Sequence, residues 1–137
     1  MKAIKQIGRF KFSVKKIQAA KRRIPRIVGN EAVNHFEEGF RQGGGQTDAS
    51  IGGWKRRKDP DEGRAILVDE GDLRDSIKVI GKPDFKKITV GTKGIPYARR
   101  HNEGLSGMPQ REFIGDSKEL NKKILKTIKL ETKRAFR

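Results

Sequence analysis

The residues that could do chemistry are few. His35 and His101 are the only imidazoles, and His101-Asn102-Glu103 invites two enzymatic readings. A zinc deaminase of the His-x-Glu type needs a distal Cys-x-x-Cys to complete the metal's ligand set, and the chain has no cysteine. A nuclease of the His-Asn-His type needs further histidines to hold metal and activate water, and none lies near in the sequence. His35, beside Phe36, reads as a semi-buried structural residue. Asp69, Glu70, Asp72 and Asp75 form the densest acidic cluster. A calcium loop needs several oxygens at fixed steps and a bidentate terminal acid, and that spacing is missing. Turn capping, or pairing with Arg64 or Arg74, is the expected use of these acids. Gly43-Gly44-Gly45 is not followed by the Gly-Lys-Ser/Thr that cradles phosphate. The expectation is a protein that is not an enzyme and that carries no catalytic residue, cofactor or metal.

Stepping along the chain, the most informative stretch is ITVGTKGIPYARRHNEGLSGMPQREFIG, residues 88–115. It reads as a short alternating strand, a Gly turn, one helical turn carrying Tyr97, Ala98 and His101, a Gly-rich break, and a Pro-x-Arg-x-Phe exit into a long helix. Its special residues are turn formers and an aromatic–imidazole pair, which suits a scaffold. The spacing predicts that the His101 ring nitrogens fix the Tyr97 turn by hydrogen bonds, with Gly104 giving a tight exit.

This segment resembles the phage virion morphogenesis family, the tail-completion and head–tail joining proteins of tailed phages and prophages. The family pattern appears as Val90-Gly91-Thr92, Tyr97-Ala98-x-x-His101-x-x-Gly104 and Pro109-x-Arg111-x-Phe113 followed by Gly115. Upstream, Gly53-Trp54 and the Ile66–Ile77 block, with Gly71 and Leu73, are similar to two further family blocks. Glu70 and Glu112 depart from the pattern. The resemblance covers Trp54 to the C-terminus well and the N-terminal third only by pattern.

The chain, at 137 residues, is one domain's worth. Leu, Ile, Val and Phe make up about a quarter of it, above the ~20% at which highly charged chains stop folding. The core is therefore expected to be thin, which favours stabilisation by neighbours in an assembly. No apolar run approaches the ~20 residues of a membrane span. The basic N-terminus lacks a signal peptide's apolar stretch and cleavage site, so the protein is expected to be made in a cytoplasm and to stay there until assembled.

Charge sorts along the chain. Lys and Arg outnumber Asp and Glu by 33 to 17, a net of +16. Residues 1–30 hold ten basic residues and no acid; 31–116 hold fifteen of each sign; 117–137 hold eight basic and two acidic. One reading of the ends is solubility and non-specific stickiness. The sharper one is contact with a polyanion, weakening steeply with salt. The candidates for contact with DNA or a partner are Lys15, Lys16, Lys21, Arg22 and Arg23 at the N-terminal end, and Lys55, Arg56, Arg57 and Lys58 in the loop. No sequence-reading motif is present.

The elements that must position these residues follow from periodicity. Apolar residues recur at helical intervals from Val14 to Phe40. Pro25 predicts a break or kink, giving a short basic helix in the N-terminal segment (1–24) and a main helix from about Pro25 to Arg41. Residues 43–63 form a Gly-rich loop in which Trp54 is a packing anchor against the sheet or a neighbour. Strands are expected at Ser76–Ile80 and Phe85–Thr92, joined by a hairpin turn at Gly81–Asp84, with a third near Gln110–Ile114. Asp116 and Glu119 form a capping-box spacing before a helix whose buried stripe is Leu120, Ile124, Ile128, Thr132 and Phe136. The fold class expected is α+β: a small, mainly antiparallel sheet packed by a long N-terminal helix and a C-terminal helix.

The resemblance implies a non-enzymatic structural protein of the virion neck or tail end. It implies subunits that close into a ring, a hexamer being expected, around the DNA channel, with other phage neck or tail proteins as partners. Its structural motif residues here would be Trp54, Gly71, Leu73, Tyr97, His101, Gly104, Pro109, Arg111 and Phe113. The competing class is a small basic nucleic-acid-binding protein.

Overall fold

The computed structural model describes residues 14–55, 72–105 and 107–136. Helix α1 runs Val14–Gln42, a 3-10 turn covers Asp48–Ser50, and one helical turn, α2, covers Asp72–Asp75. Strands β1 (Ile77–Ile80) and β2 (Thr89–Thr92) follow, then α3 (Ala98–Glu103) and α4 (Lys118–Ala135). The architecture is α+β, with a two-stranded antiparallel sheet in register Ile77↔Thr92 to Ile80↔Thr89.

Helix α1 is the spine. Its residues Ala32, Phe36 and Phe40 recur at four-residue steps, stack on one face and enter the larger core with Trp54, Leu73, Ile77, Ala98, Phe113 and Leu120. Ala20, Ile24 and Val28, one to three turns earlier, form a second cluster with Ile88, Ile124, Ile128 and Ala135 against it. Helix α4 runs antiparallel along α1: Ser117 meets His35, Thr127 donates to Glu31, and Arg23 pairs with Glu131. The N-terminal end of α1 therefore sits beside the C-terminal end of α4. On another flank α1 meets the sheet closely enough that a Cβ at Gly29 would lie 2.8 Å from Val79.

Four local expectations are corrected. First, α1 does not break at Pro25 but continues through it. Interior Pro costs about 3 kcal/mol in an isolated helix; here the Pro25 ring is fully buried between Ile24 and Val28, and tertiary packing on both sides holds the helix through it. Second, Gln110–Ile114 is not a strand. Its backbone groups bond side chains instead of a neighbouring strand: Phe113 and Ile114 N–H donate to Asn102 Oδ1, and the Glu112 carbonyl accepts from Trp54 Nε1. Third, the strand connection is longer than a hairpin turn, spanning 81–88. Asp84 Oδ1 accepts from Lys86 and Lys87 N–H, which curls that stretch into its own turn and leaves Phe85 exposed. Fourth, α4 is capped by Ser117, whose Oγ accepts from Leu120 N–H at 3.2 Å. The Asp116 carbonyl accepts from Asp48 N–H instead. The inward stripe of α4 ends on Glu131 and Ala135, while Thr132 and Phe136 are exposed, because the last turns face the basic start of α1, where Glu131 finds Arg23.

Candidate functional site

The motif residues converge on a clasp at the C-terminal end of α1. Tyr97 starts α3, and its ring meets His101 edge-on at 5.8 Å. The following Asn102 is the clasp's centre. Its Oδ1 accepts from Phe113 N–H (2.9 Å) and Ile114 N–H (3.1 Å), and its Nδ2 donates to the Ile114 carbonyl (3.0 Å). An amide carries both an acceptor and donors, so one side chain satisfies three backbone groups that would otherwise need a strand. The adjoining peptide is held too: Arg111 N–H donates to the His101 carbonyl at 2.8 Å.

Gly104 ends α3 in the left-handed region, φ 68°. A Cβ there would lie 2.9–3.0 Å from Gln110, two of the three atoms being backbone. Both restrictions select glycine. Pro109 follows the reversal. Arg111 Nε donates to the Lys55 carbonyl at 2.8 Å, drawing the end of the Gly-rich loop onto the clasp.

Trp54 closes it from the other side. Its ring packs edge-on against Phe40 at 5.4 Å, Phe40 tilts onto Phe113 at 5.4 Å, and Nε1–H reaches the Glu112 carbonyl at 2.9 Å. Gly45 must let this ring in, since a Cβ would sit 2.5 Å from Trp54 Nε1 at a φ of 75°. Leu73 is buried in the same cluster. Trp54, Leu73, Tyr97, His101, Gly104, Pro109, Arg111 and Phe113 thus occupy one region. Gly71, Arg56, Arg57 and Lys58, and also Asp69 and Glu70, lie outside the described residues.

The histidines exchange their expected roles. His35, on α1, is the well-bonded one: Nε2 lies 2.9 Å from the Gln46 carbonyl and 3.1 Å from Ser117 Oγ, and Nδ1 lies 3.4 Å from Lys123 Nζ. A carbonyl at Nε2 and an ammonium at Nδ1 select the tautomer protonated at Nε2. His101, its ring expected to hydrogen-bond, buries Nδ1 without a partner among the described residues; its ring meets Tyr97 edge-on, while its backbone N–H donates to the Tyr97 carbonyl at 3.4 Å. Burial, and then the nearby Arg111 guanidinium, hold its pKa below the usual 6.5.

The cationic candidates are elsewhere. Lys15, Lys16, Lys21, Arg22 and Arg23 are exposed on the first turns of α1, and Lys55 is exposed beside Trp54. Because α4 returns antiparallel, residues 14–26 adjoin 126–136, and together they hold ten Lys or Arg and one acid, Glu131. That acid is held by Arg23 (3.6 Å) and Arg134 (3.1 Å). Of the acidic cluster, Asp75 accepts from Arg74 Nε at 3.0 Å. Among the described residues no three His, Asp or Glu side chains converge as metal ligands would, and no helix is long and apolar enough to cross a membrane.

Sequence reasoning quoted Asn102 but gave it no role. The available signal was a short polar side chain at the end of a helical turn ahead of a Pro-containing reversal, the setting in which Asn bonds backbone. It also left the lysines of α4 out of the candidate contacts, although their spacing alone places them on one face. Comparison of the chain with protein-family models, curated proteins and solved structures finds no match to any of them.

Proposed function

We propose that this protein is a non-enzymatic structural subunit of phage virion assembly, completing the tail or joining head to tail as an oligomeric ring around the DNA channel. The observation that carries the reading is the use made of residues 88–115. Of the side chains that carry the resemblance, Trp54 and Arg111 bond backbone and Phe113 packs on Phe40, and with Asn102 between them they form a clasp at one end of α1. Two features fit a subunit that is completed by neighbours. The sheet has two strands among the described residues, so each strand has an edge that no other described strand pairs, the kind of edge that β-addition uses. Large apolar side chains also remain uncovered, notably Ile51 (84% exposed) on the Gly-rich loop, Leu125 on α4 and Phe136 just after it (61% each). In this reading the site of action is the virion neck or tail end, the subunit being made in the host cytoplasm, and the partners are other neck or tail proteins and further copies of the chain.

The test is size-exclusion with mass measurement, alone and with purified tail tubes. A closed ring, a hexamer being expected, or stable recruitment to tubes supports the reading. A chain that stays monomeric and ignores tubes sinks it. The second reading, a small basic nucleic-acid-binding protein, draws on the meeting of the basic start of α1 with the basic end of α4. It would gain if a monomer without affinity for tubes bound duplex tightly.

A further inference from the structure

Helix α4 carries lysines at 118, 122, 126, 129 and 133. Steps of four, four, three and four residues, at 100° per residue, keep all five within an arc of about 80°. That arc lies nearly opposite the inward stripe of Leu120, Ile124 and Ile128. All five are exposed. The two acids of α4 are engaged elsewhere: Glu119 pairs with Lys123 at 3.5 Å, and Glu131 with Arg23 and Arg134. Among the described residues none of the five lysines is in an ion pair.

We infer that this stripe is a binding face for the phosphate backbone of duplex DNA, read without regard to base sequence. Like charges at i,i+3 and i,i+4 oppose the helix by a few tenths of a kcal/mol per pair, a repulsion that a polyanion along the row would relieve. The row is straight and extends about 22 Å at 1.5 Å per residue. Duplex DNA presents roughly one phosphate per 1.7 Å of axis, so charges on that length of duplex outnumber the lysines. Lysines are flexible point charges without bidentate geometry. No aromatic residue lies between Lys118 and Lys133, and the exposed Phe136 comes only after the row, so the row itself suits backbone rather than base contacts. At its C-terminal end the row leads to the basic start of α1, which continues the same sign of charge.

This goes beyond the assembly reading and stands without it, because the face belongs to a single subunit. The experiment is titration of full-length protein with mixed-sequence duplex at several salt concentrations. The wild type, K122Q/K126Q/K129Q, and the charge-matched control K78Q/K86Q/K93Q on the sheet side are compared. Each lysine–phosphate contact contributes about 0.9 to the slope of log K against log salt. The stripe variant is therefore expected to lose about 2.7 from that slope and at least about tenfold in affinity at 50 mM salt. The control should stay within about 0.5 of the wild-type slope, well under one contact's worth. K122R/K126R/K129R, which keeps charge and fold, should bind as wild type does. Equal losses in stripe and control variants would overturn the assignment, as would an unchanged slope in the stripe variant. Binding of poly-glutamate but not duplex would overturn it in favour of an acidic protein surface. Duplex binding by a protein that stays monomeric and fails to join tail tubes would sink the assembly reading alone.

Discussion

Replacing Asn102 with Ala tests whether the clasp is held by hydrogen bonds or only by packing. The substitution removes both functional atoms of the amide and adds no bulk. It strands the N–H groups of Phe113 and Ile114 and the carbonyl of Ile114. Phe113 is 2% exposed and touches Phe40, so the segment cannot turn its backbone to solvent without withdrawing that ring from the core. Each lost hydrogen bond is worth about 1 kcal/mol net, and a buried group left without a partner costs about 1–3 kcal/mol. Since the site is only partly buried, the lower part of that range applies to each of the three groups. The expected loss is about 3 kcal/mol, or a Tm drop of roughly 6–12 °C for a domain of this size. Asn102→Asp separates the contributions. It keeps both acceptor bonds to the N–H groups and sets a carboxylate oxygen against the Ile114 carbonyl, so about half the loss should remain, near 1–2 kcal/mol. The assay is urea unfolding followed by Trp54, the only tryptophan, which bonds the same segment at Glu112. If Asn102→Ala unfolds within about 0.5 kcal/mol of the wild type, the size of a neutral surface change, the hydrogen-bonded clasp is not what holds Phe113 in place.

Trp54→Phe keeps a ring against Phe40 but strands the Glu112 carbonyl, and about 1–2 kcal/mol should be lost in the same urea assay followed by circular dichroism. Gly104→Ala meets both a φ of 68° and Gln110 backbone at 3.0 Å, so the loss should exceed the ~1 kcal/mol of left-handed strain alone, whereas Gly52→Ala, with a φ of 92° but open space around it, should show strain only. His101 sets a pH dependence whose sign follows from its lowered pKa. Between the folded value and the unfolded value near 6.5, only the unfolded chain binds the proton, so stability rises with pH through that window. The contribution is fully present above about pH 6.5 and is lost as pH falls toward the folded pKa. Denaturant midpoints from pH 5 to 7.5 should slope accordingly in the wild type and flatten in His101→Gln; parallel slopes would refute the assignment.

How far the sequence revealed this fold depended on whether the relevant information was periodic. The face of α1 followed from apolar residues at helical steps, because burial of a stripe repeats along the chain. Pro25 misled because a local rule about helix interiors says nothing about a ring buried by tertiary packing. The segment 110–114 misled for a related reason. Alternating Arg111 and Phe113 look like a strand, but a strand also needs a neighbour, and Asn102 had already taken its hydrogen bonds. The end of α4 failed by one residue because Asp116 and Ser117 are both good caps. The choice fell to contacts distant in sequence, with Asp48 drawing the Asp116 carbonyl and His35 drawing Ser117 Oγ. The converging motif residues were visible as a set, but which of them bond and which merely pack was not: His101 has the reactive ring, while its neighbour Asn102 makes the bonds.

The arrangement of the two helices gives these separate features a common geometry. Helix α1 is about 43 Å long at 1.5 Å per residue, and the clasp grips its C-terminal end while the cationic cluster surrounds its N-terminal end. A continuous helix through Pro25 is what makes this a fixed separation, since a break there would let the basic segment swing relative to the sheet. The antiparallel return of α4 then brings the two positive parts of the sequence to the same end, although they are remote along the chain. Ten basic side chains around one acid repel one another across this junction, and the apolar contacts of Ala20, Ile24 and Val28 with α4 must oppose that repulsion. The balance depends on counterions, so the end bearing α1 residues 14–26 should be the less stable at low salt and should tighten when a polyanion neutralises it. Hydrogen exchange of the α1 amides in that stretch, measured at low salt with and without duplex DNA, should show protection gained there and little change at Phe36–Phe40 beneath the clasp. Equal protection at both ends would mean that the charge at this junction has no hold on the fold.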